Sequence, residues 1–259
     1  MTRTGPKRRT CRRCKGVANV KGLNRTGIEW ADYVWNPVAG CRHGCEYCYA
    51  RRFAKRLQGT GHPHYVSGFE PAFHPDILDA PAQLKKPSII FAVSMGDLFG
   101  AWVPSEWIER TLDAMVPPHS YVVLTKNAGN LSGWQMEPRV WAGTSVWAGK
   151  SVSKESDACL DRILKLETWC YPRKVLSIEP MLVPVSTEYL NGDLSWLIIG
   201  GLTGPHKFAP PRAWVEPLVY WAAMHHVAVF VKDNCNLPDM PQEWPEGMRG
   251  NLDAEKGDA

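Results

Sequence analysis

The sequence lacks any run of apolar residues approaching the roughly 20 that a membrane-spanning helix requires. Its basic first residues are not followed by an apolar segment, so we expect no secretory signal. Internal repeats and low-complexity linkers are also missing, which argues against a repeat array or several tethered domains. We therefore expect one folded domain that works in the cytoplasm and has no membrane partner.

Acidic residues are missing from the first 25 positions, which hold nine Lys or Arg residues. The full chain of 259 residues has a formal net charge of only +4, so much of its basic character is concentrated there. A basic arm can contact phosphates or simply remain solvated, and both alternatives stay open. We assign residues 1–27 to this arm, 28–240 to the folded domain and 241–259 to a C-terminal tail.

Short apolar runs alternate with amphipathic stretches along the rest of the chain. The runs are apolar throughout, as strands buried on both faces are. The predicted strands are 32–38, 88–93, 121–125, 140–146, 174–178, 196–199 and 227–231, and the predicted helices are 47–58, 104–115, 154–168 and 211–226. This alternation predicts an α/β fold with mostly parallel strands, forming a partial or complete (β/α) barrel. Functional residues of such folds follow the carboxyl ends of the strands.

Five of the eight cysteines lie within the first 48 residues. Cys41, Cys45 and Cys48 follow the first predicted strand with the spacing C-x3-C-x2-C. In a chain without an export signal, tight clusters indicate metal binding or redox chemistry rather than disulfides. Three thiolates on one loop can bind three irons of a [4Fe–4S] cluster and leave the fourth open to a chelating cofactor. We expect the scattered Cys159, Cys170 and Cys235 to be buried free thiols.

A zinc ribbon is the alternative use of these cysteines. The pair Cys11 and Cys14 could join Cys45 and Cys48 in a tetrahedral site. The 30 residues between the two pairs exceed the usual spacing of roughly 15–20, and Cys41 would have no role. Cys11 and Cys14 could also hold zinc with distant partners, hold an auxiliary cluster or bind nothing. All three alternatives stay open.

The segment 41–48 resembles the signature of the radical SAM superfamily, C-x3-C-x-aromatic-C, with Tyr47 at the aromatic position. The resemblance implies a [4Fe–4S] cluster on Cys41, Cys45 and Cys48, with S-adenosylmethionine (SAM) chelating the remaining iron. It also implies that Tyr47 packs near the adenine of SAM and that reductive cleavage yields a 5′-deoxyadenosyl radical. His43 lies between two of the cysteines, and we expect it to be an exposed loop residue rather than a ligand.

A wider resemblance covers roughly residues 28–235. The segments 30–41, 44–50, 93–99, 124–126, 143–146, 176–182, 199–201 and 230–232 resemble, in the same order, a family of radical SAM-like proteins from phages and bacteria. That family usually has a longer insertion between its first two cysteines. It also usually has Gly-Gly-Glu-Ser-Gly where this chain has Gly200-Gly-Leu-Thr-Gly204, so a carboxylate cannot be assumed there.

These landmarks supply the candidate site residues. The resemblance implies cofactor contacts for Tyr47, Met95, Gly96, Asp97, Thr144, Ser145, Gly200 and Gly201. Asp97, Lys126 and Glu179 are the candidate catalytic residues, the last two because they lie at the ends of predicted strands. A surface turn for Glu179 and a solvent-exposed position for Lys126 remain alternatives. An N-cap role for Asp97, turn hydroxyls for Thr144 and Ser145 and tight turns at the two glycines remain alternatives. Lys232, at the last predicted strand, could reach substrate or solvent.

The leading hypothesis is therefore a radical SAM enzyme whose substrate the sequence does not identify. A nucleotide or nucleic acid is one candidate substrate, and a reductase or a flavodoxin-type protein is the expected electron donor. Two alternatives stay open. One is a zinc-ribbon nucleic-acid-binding phage accessory protein, and the other is a non-catalytic redox sensor that holds a cluster.

Overall fold

The computed structural model describes residues 20–148, 162–163, 165–166, 169–190 and 193–248. The strands of this part are β1 (Leu23–Arg25), β2 (Tyr33–Trp35), β3 (Val38–Ala39), β4 (Ala72–Phe73), β5 (Ile89–Ala92), β6 (Ser120–Thr125), β7 (Val140–Ala148), β8 (Lys174–Met181), β9 (Leu194–Ile199) and β10 (Ala228–Val231). Its α-helices are α1 (Tyr49–Gly59), α2 (Ser105–Asp113) and α3 (Arg212–Met224). The predictions for Cys11, Cys14 and Cys159, for most of the basic arm and for the end of the tail fall outside these residues.

Eight strands form one sheet in the order β1-β2-β5-β6-β7-β8-β9-β10. The edge strand β1 is antiparallel to β2, and every other neighbouring pair is parallel. Within the described residues β1 and β10 do not pair with each other, so the sheet stays open. The predicted α/β fold with mostly parallel strands is confirmed, in its partial-barrel form. β3 and β4 make a separate antiparallel pair beside this sheet.

The seven parallel strands correspond to the seven strands predicted from the apolar runs. The first of these is shorter than expected, because the chain leaves the sheet after Trp35 and β3 pairs with β4 instead. Three of the predicted helices correspond to α1, α2 and α3. Of the fourth, predicted over 154–168, residues 162, 163, 165 and 166 are described and are helical.

Alternation along the strands gives the sheet two different faces. One face packs against α2 and α3, and its core includes Ile90, Val123, Leu176 and Leu197. The other face carries Val122, Trp141, Val175 and Ile198, together with the residues that line the cavity described below. Burial of both faces explains why the strand sequences are apolar throughout.

A cluster of four aromatic side chains covers part of the cavity-side face of β9 and β10. It consists of Trp30, Trp196, Phe230 and Trp244, whose successive ring centroids lie 5.6, 6.4 and 5.0 Å apart. The Trp196 indole N–H donates to the Glu243 carbonyl at 2.9 Å, and that of Trp244 donates to the Trp30 carbonyl at 3.0 Å. The segments before β2 and after β10 are thereby joined. Thus the folded core takes in residues of the predicted tail, just as β1 takes in residues of the predicted arm.

In the described part of the chain, no helix has both the length and the apolar character that crossing a membrane demands.

Gly143 in β7 faces the backbone of β8 at very short range. A Cβ atom at this position would lie 1.7 Å from the Val175 carbonyl oxygen. We therefore expect Gly143→Ala to lower the free energy of unfolding by about 1–3 kcal/mol, because the two strands must separate locally. Urea unfolding followed by tryptophan fluorescence measures this change.

The matched control is Gly133→Ala, where a Cβ atom would meet nothing within 4 Å. Equal stabilities of the two variants would contradict the close packing of β7 on β8.

Candidate functional site

A cavity of about 1550 Å³ opens at the carboxyl ends of the parallel strands. Side chains on one face of five adjacent strands contribute to its wall, namely Val34, Phe91, Leu124, Ser145 and Ser177. The segments that follow the strands add the polar groups of the site. This is the position at which the sequence predicts functional residues.

The cysteine loop starts from a fixed point on the backbone. Gly40 has φ +89°, and a Cβ atom there would lie 2.3 Å from the Glu70 carbonyl oxygen. Its N–H donates to the Met95 carbonyl at 2.9 Å, and it forms a bridge with Gly96. A side chain at Gly40 would therefore displace the segment that leads directly into Cys41.

The three cysteines of the loop all line the cavity and are partly buried. Cys48 is the N-cap of α1, and its sulfur accepts a hydrogen bond from the Arg51 N–H at 3.3 Å. The amino end of a helix stabilises negative charge, so this position suits a thiolate. Gly44 has φ +76°, and no atom lies within 4 Å of where its Cβ would be. The loop thus turns without filling the space beside the sulfurs.

Cys41 differs from its neighbours in its surroundings. Burial raises the pKa of the Cys41 thiol to about 12, although a hydrogen bond from the backbone of His43 partly opposes this shift. A free thiolate is therefore disfavoured here, and a bound metal would have to compensate for the loss of solvation.

The donor set fits an iron–sulfur cluster better than a single ion. Three thiols are soft ligands that suit iron–sulfur clusters, and each would bind a different iron of a cube. Within the described residues, no three His, Cys, Asp or Glu side chains are arranged to hold one metal ion. Thiols that bind separate irons do not need to converge on one point. Cys41, Cys45 and Cys48 would hold the cluster, and the fourth iron would have no protein thiolate from this loop.

A buried carboxylate connects the cysteine loop to the sheet. Asp97 is 3% exposed and accepts five hydrogen bonds. The donors are His43 Nε2 at 2.8 Å, Thr125 Oγ1 at 2.5 Å, the Lys126 N–H at 2.9 Å, the Phe99 N–H at 3.2 Å and Asn127 Nδ2 at 3.2 Å. Because a carboxylate only accepts, His43 Nε2 carries the proton it shares. The network joins the segments that follow β3, β5 and β6.

The expectation that His43 is an exposed loop residue is wrong. Its side chain is 16% exposed, bonds to Asp97 and lies edge-on to Trp102 with a centroid distance of 4.9 Å. No local pattern marks this contact, because His43 and Asp97 are 54 positions apart. The N-cap alternative for Asp97 is also incomplete, since its bond to the Phe99 N–H is one of five.

The two predicted catalytic groups other than Asp97 line the cavity from different strands and have different partners. Lys126 follows β6, and its Nζ lies 5.5 Å from the Tyr47 ring centroid and donates to the Ser145 carbonyl at 3.3 Å. Glu179, in β8, forms an ion pair with Lys232 at the end of β10. Lys232 therefore faces Glu179 rather than open solvent, with its side chain 13% exposed.

Not all of the predicted cofactor contacts reach the cavity. Its lining includes Tyr47, Met95, Gly96, Asp97, Ser145 and Gly201. Thr144 points the other way, because it is fully buried and its hydroxyl donates to the Thr125 carbonyl at 2.9 Å.

The two glycines after β9 have packing roles. A Cβ at Gly201 would lie 2.5 Å from the Phe208 carbonyl oxygen, and a Cβ at Gly200 would lie 3.0 Å from the Glu179 side chain. Gly201 also exchanges two hydrogen bonds with the Asn234 amide. These contacts are those of the tight-turn alternative.

Sequence reasoning missed Gly40, His43 and Asn127 as parts of the site. The glycine directly before Cys41 was a usable signal, because a loop that folds around a cluster needs a residue tolerant of positive φ. No comparable signal marks Asn127, whose amide contacts Asp97 across 30 positions.

The fold and site together define an α/β protein with an open, mostly parallel sheet and a three-cysteine loop at the cavity formed by its carboxyl edge. The chain belongs to the family described as "Protein of unknown function (DUF5131)", whose model matches residues 25–250. None of the curated proteins matches the chain.

Several solved structures of spore photoproduct lyase resemble the fold. A mutant with dinucleoside spore photoproduct gives a TM-score of 0.48 at 14% identity, covering 78% of this chain and 64% of that one. A double mutant with bound AdoMet gives a TM-score of 0.46 at 14% sequence identity, and the match covers 78% of this chain and 63% of that one. The enzyme complexed with dinucleoside spore photoproduct gives a TM-score of 0.44 at 15% sequence identity, and the match covers 71% of this chain and 60% of that one. The alignments thus span less than two thirds of those chains.

Removal of the Asp97 carboxylate is expected to destabilise the fold. Asp97→Ala leaves several buried donors without a partner, so we expect the free energy of unfolding to fall by about 3 kcal/mol. Urea unfolding measures it, with Asp79→Ala as the control. Asp79 is exposed, and its hydrogen bond within the described residues is with the Gln83 amide, so its loss should cost less than about 0.5 kcal/mol. Similar values for both variants would contradict a stabilising role for the network.

The raised pKa of Cys41 predicts slow alkylation in the iron-free protein. With a pKa of about 12, only about one Cys41 thiol in ten thousand is ionised at pH 8. Cys170 is exposed, so the prediction that it is buried is wrong, whereas Cys235 is buried as predicted. We expect iodoacetamide to modify Cys41 at least about tenfold more slowly than Cys170, with the rate still rising above pH 9. Peptide mass spectrometry over time measures both rates. A Cys41 rate that equals that of Cys170 at pH 8 would show that the thiol is not desolvated.

Proposed function

We propose that the chain is a radical SAM enzyme. The observation that carries the proposal is that Cys41, Cys45 and Cys48, in the superfamily spacing and with Tyr47 between the last two, all line one large cavity. That cavity lies at the carboxyl ends of parallel strands, where α/β proteins bind ligands. Its size exceeds what a single metal ion would need.

A reduced [4Fe–4S] cluster on these cysteines would supply the electron that cleaves SAM into methionine and a 5′-deoxyadenosyl radical, which abstracts hydrogen from a substrate. The protein's task is to bind and orient SAM and the substrate and to exclude competing reactions.

The residues around the cysteines suit that task. Tyr47 offers an aromatic face beside the cluster loop, and Lys126 lies over it. Met95, Gly96 and, from β7, Ser145 also line the cavity. Because Asp97 is fully engaged by internal donors, we assign it the positioning of the cysteine loop rather than a proton-transfer role.

The ion pair between Glu179 and Lys232 borders the cavity. The paired carboxylate can also accept hydrogen bonds from a polar ligand. We propose that this pair contacts substrate or SAM. A reductase or flavodoxin-type protein would deliver the electron.

The decisive experiment is anaerobic purification and iron–sulfide reconstitution, followed by dithionite reduction with SAM and chromatography for 5′-deoxyadenosine. We expect about four irons and four sulfides per chain and formation of 5′-deoxyadenosine. Cys41→Ala should lose the cluster and form no product above background, because one of three iron ligands is gone.

Cys170→Ala is the matched control, since this thiol is exposed and does not line the cavity. It should keep the iron content and product yield of the wild-type chain. One tightly bound zinc and no SAM cleavage would overturn the proposal in favour of a zinc ribbon. An intact cluster that never cleaves SAM would instead indicate a redox sensor.

A further inference from the structure

One face of α1 forms part of the cavity wall and has an unusual composition. Tyr49, Arg52, Phe53 and Arg56 all line the cavity. Their spacing of i, i+3, i+4 and i+7 puts them on one side of the helix. We call this set the cavity face of α1. Ala50 and Ala54 of the same helix pack into the core beside Met95 and Tyr65, although Ala50 also reaches the cavity lining.

The two aromatic rings of this face are not buried. Tyr49 is 50% and Phe53 is 46% exposed. The Tyr49 hydroxyl donates to the Ser94 carbonyl at 2.7 Å, and burial of that hydroxyl raises the pKa of Tyr49. The ring is therefore fixed at its polar end while much of its surface stays accessible. Exposed rings held in place like this are suited to stacking on a flat partner.

The arginines of the face are available for an anion. Arg52 and Arg56 are exposed and make no salt bridge with any carboxylate in the described residues. Arg56 lies over the Phe53 ring, with its Cζ 5.9 Å from the centroid. Helix α1 contains four basic residues and no acidic one. An ordinary solvated helix face would mix both signs of charge and would not expose two aromatic rings.

The acidic residues of the cavity are already engaged by internal partners. Asp97 is buried in its hydrogen-bond network, Glu179 pairs with Lys232, and Asp76 pairs with Lys21 and His64. The arginines of α1 consequently dominate the charge that a ligand meets at this wall. An anionic ligand with flat, apolar rings complements both features.

We propose that the substrate is single-stranded nucleic acid, which docks on the cavity face of α1. Arg52 and Arg56 bind successive phosphates, while bases stack on Tyr49 and Phe53. An unpaired strand is required, because a base within a duplex is stacked and cannot enter the cavity. Since Cys48 caps the same helix, the docked strand lies beside the cysteine loop. The role of the strand as a substrate rests on the proposed function, whereas its binding to α1 does not.

Fluorescence anisotropy with fluorescein-labelled dT12 and rU12 tests the binding. We expect at least one of them to bind, and the preference assigns the deoxyribose or ribose chain. Arg52→Gln combined with Arg56→Gln should weaken binding at least about tenfold. It should also reduce the magnitude of the slope of log K against log salt concentration by about 1.4, because each of two lost phosphate contacts contributes about 0.7. Tyr49→Ala combined with Phe53→Ala should weaken binding without changing that slope, because two stacking rings and no charge are lost.

The control is Lys85→Gln combined with Lys86→Gln, which removes two exposed positive charges that do not line the cavity. It should change the affinity less than about twofold beyond general screening. Equal losses in the control and the arginine variant, or displacement of the probe by poly-L-glutamate as efficiently as by unlabelled dT12, would overturn the proposal. Thermal unfolding midpoints of all variants establish that they are folded.

The two proposals fail separately. Absence of oligonucleotide binding by a wild-type chain that forms 5′-deoxyadenosine would overturn the substrate assignment alone. Oligonucleotide binding by a chain that never acquires iron or cleaves SAM would overturn the proposed enzyme class and leave the docking surface intact.

Discussion

The buried carboxylate of Asp97 is the interaction on which the geometry of the site depends. A charged group that is almost fully desolvated requires donors, and Asp97 obtains them from its own turn and from two segments that are distant in sequence. Charge-assisted bonds of this kind are stronger than neutral ones and have defined directions. The loop that carries the cysteines is therefore tied to the ends of β5 and β6, and not only to its own neighbours in the chain.

Close backbone contacts hold the other side of the same loop. Gly40 and Gly96 meet without side chains between them, which lets β3 end directly against the segment after β5. With Asp97 on one side and these glycines on the other, little freedom is left to the path from Ala39 to Cys48. A ligand loop fixed before metal binding loses less conformational entropy when the metal arrives.

Much of the fold was predictable because the parallel strands are buried on both faces and read as short apolar runs. The strands β1, β3 and β4 were not, since two or three residues carry no recognisable periodicity. At the site, the cysteines were recognisable by local spacing. The bond between His43 and Asp97, the inward turn of Thr144 and the pairing of Glu179 with Lys232 were not, because they depend on which strands become neighbours and which way each residue faces.

Because Cys48 caps α1, it connects the cysteine loop directly to the cavity face of that helix. The sulfur of Cys48 holds the first turn of the helix whose next residues form its arginine and aromatic face. If a ligand bound to that face tilts or shifts the helix, the Cys48 sulfur moves with it. If the proposed ligand and cluster are both bound, any effect of the charge at the sulfur on the affinity of the face must be matched by an equal effect of the bound ligand on the sulfur. In the proposed enzyme, binding at the face and the charge of the Cys48 sulfur would then be linked.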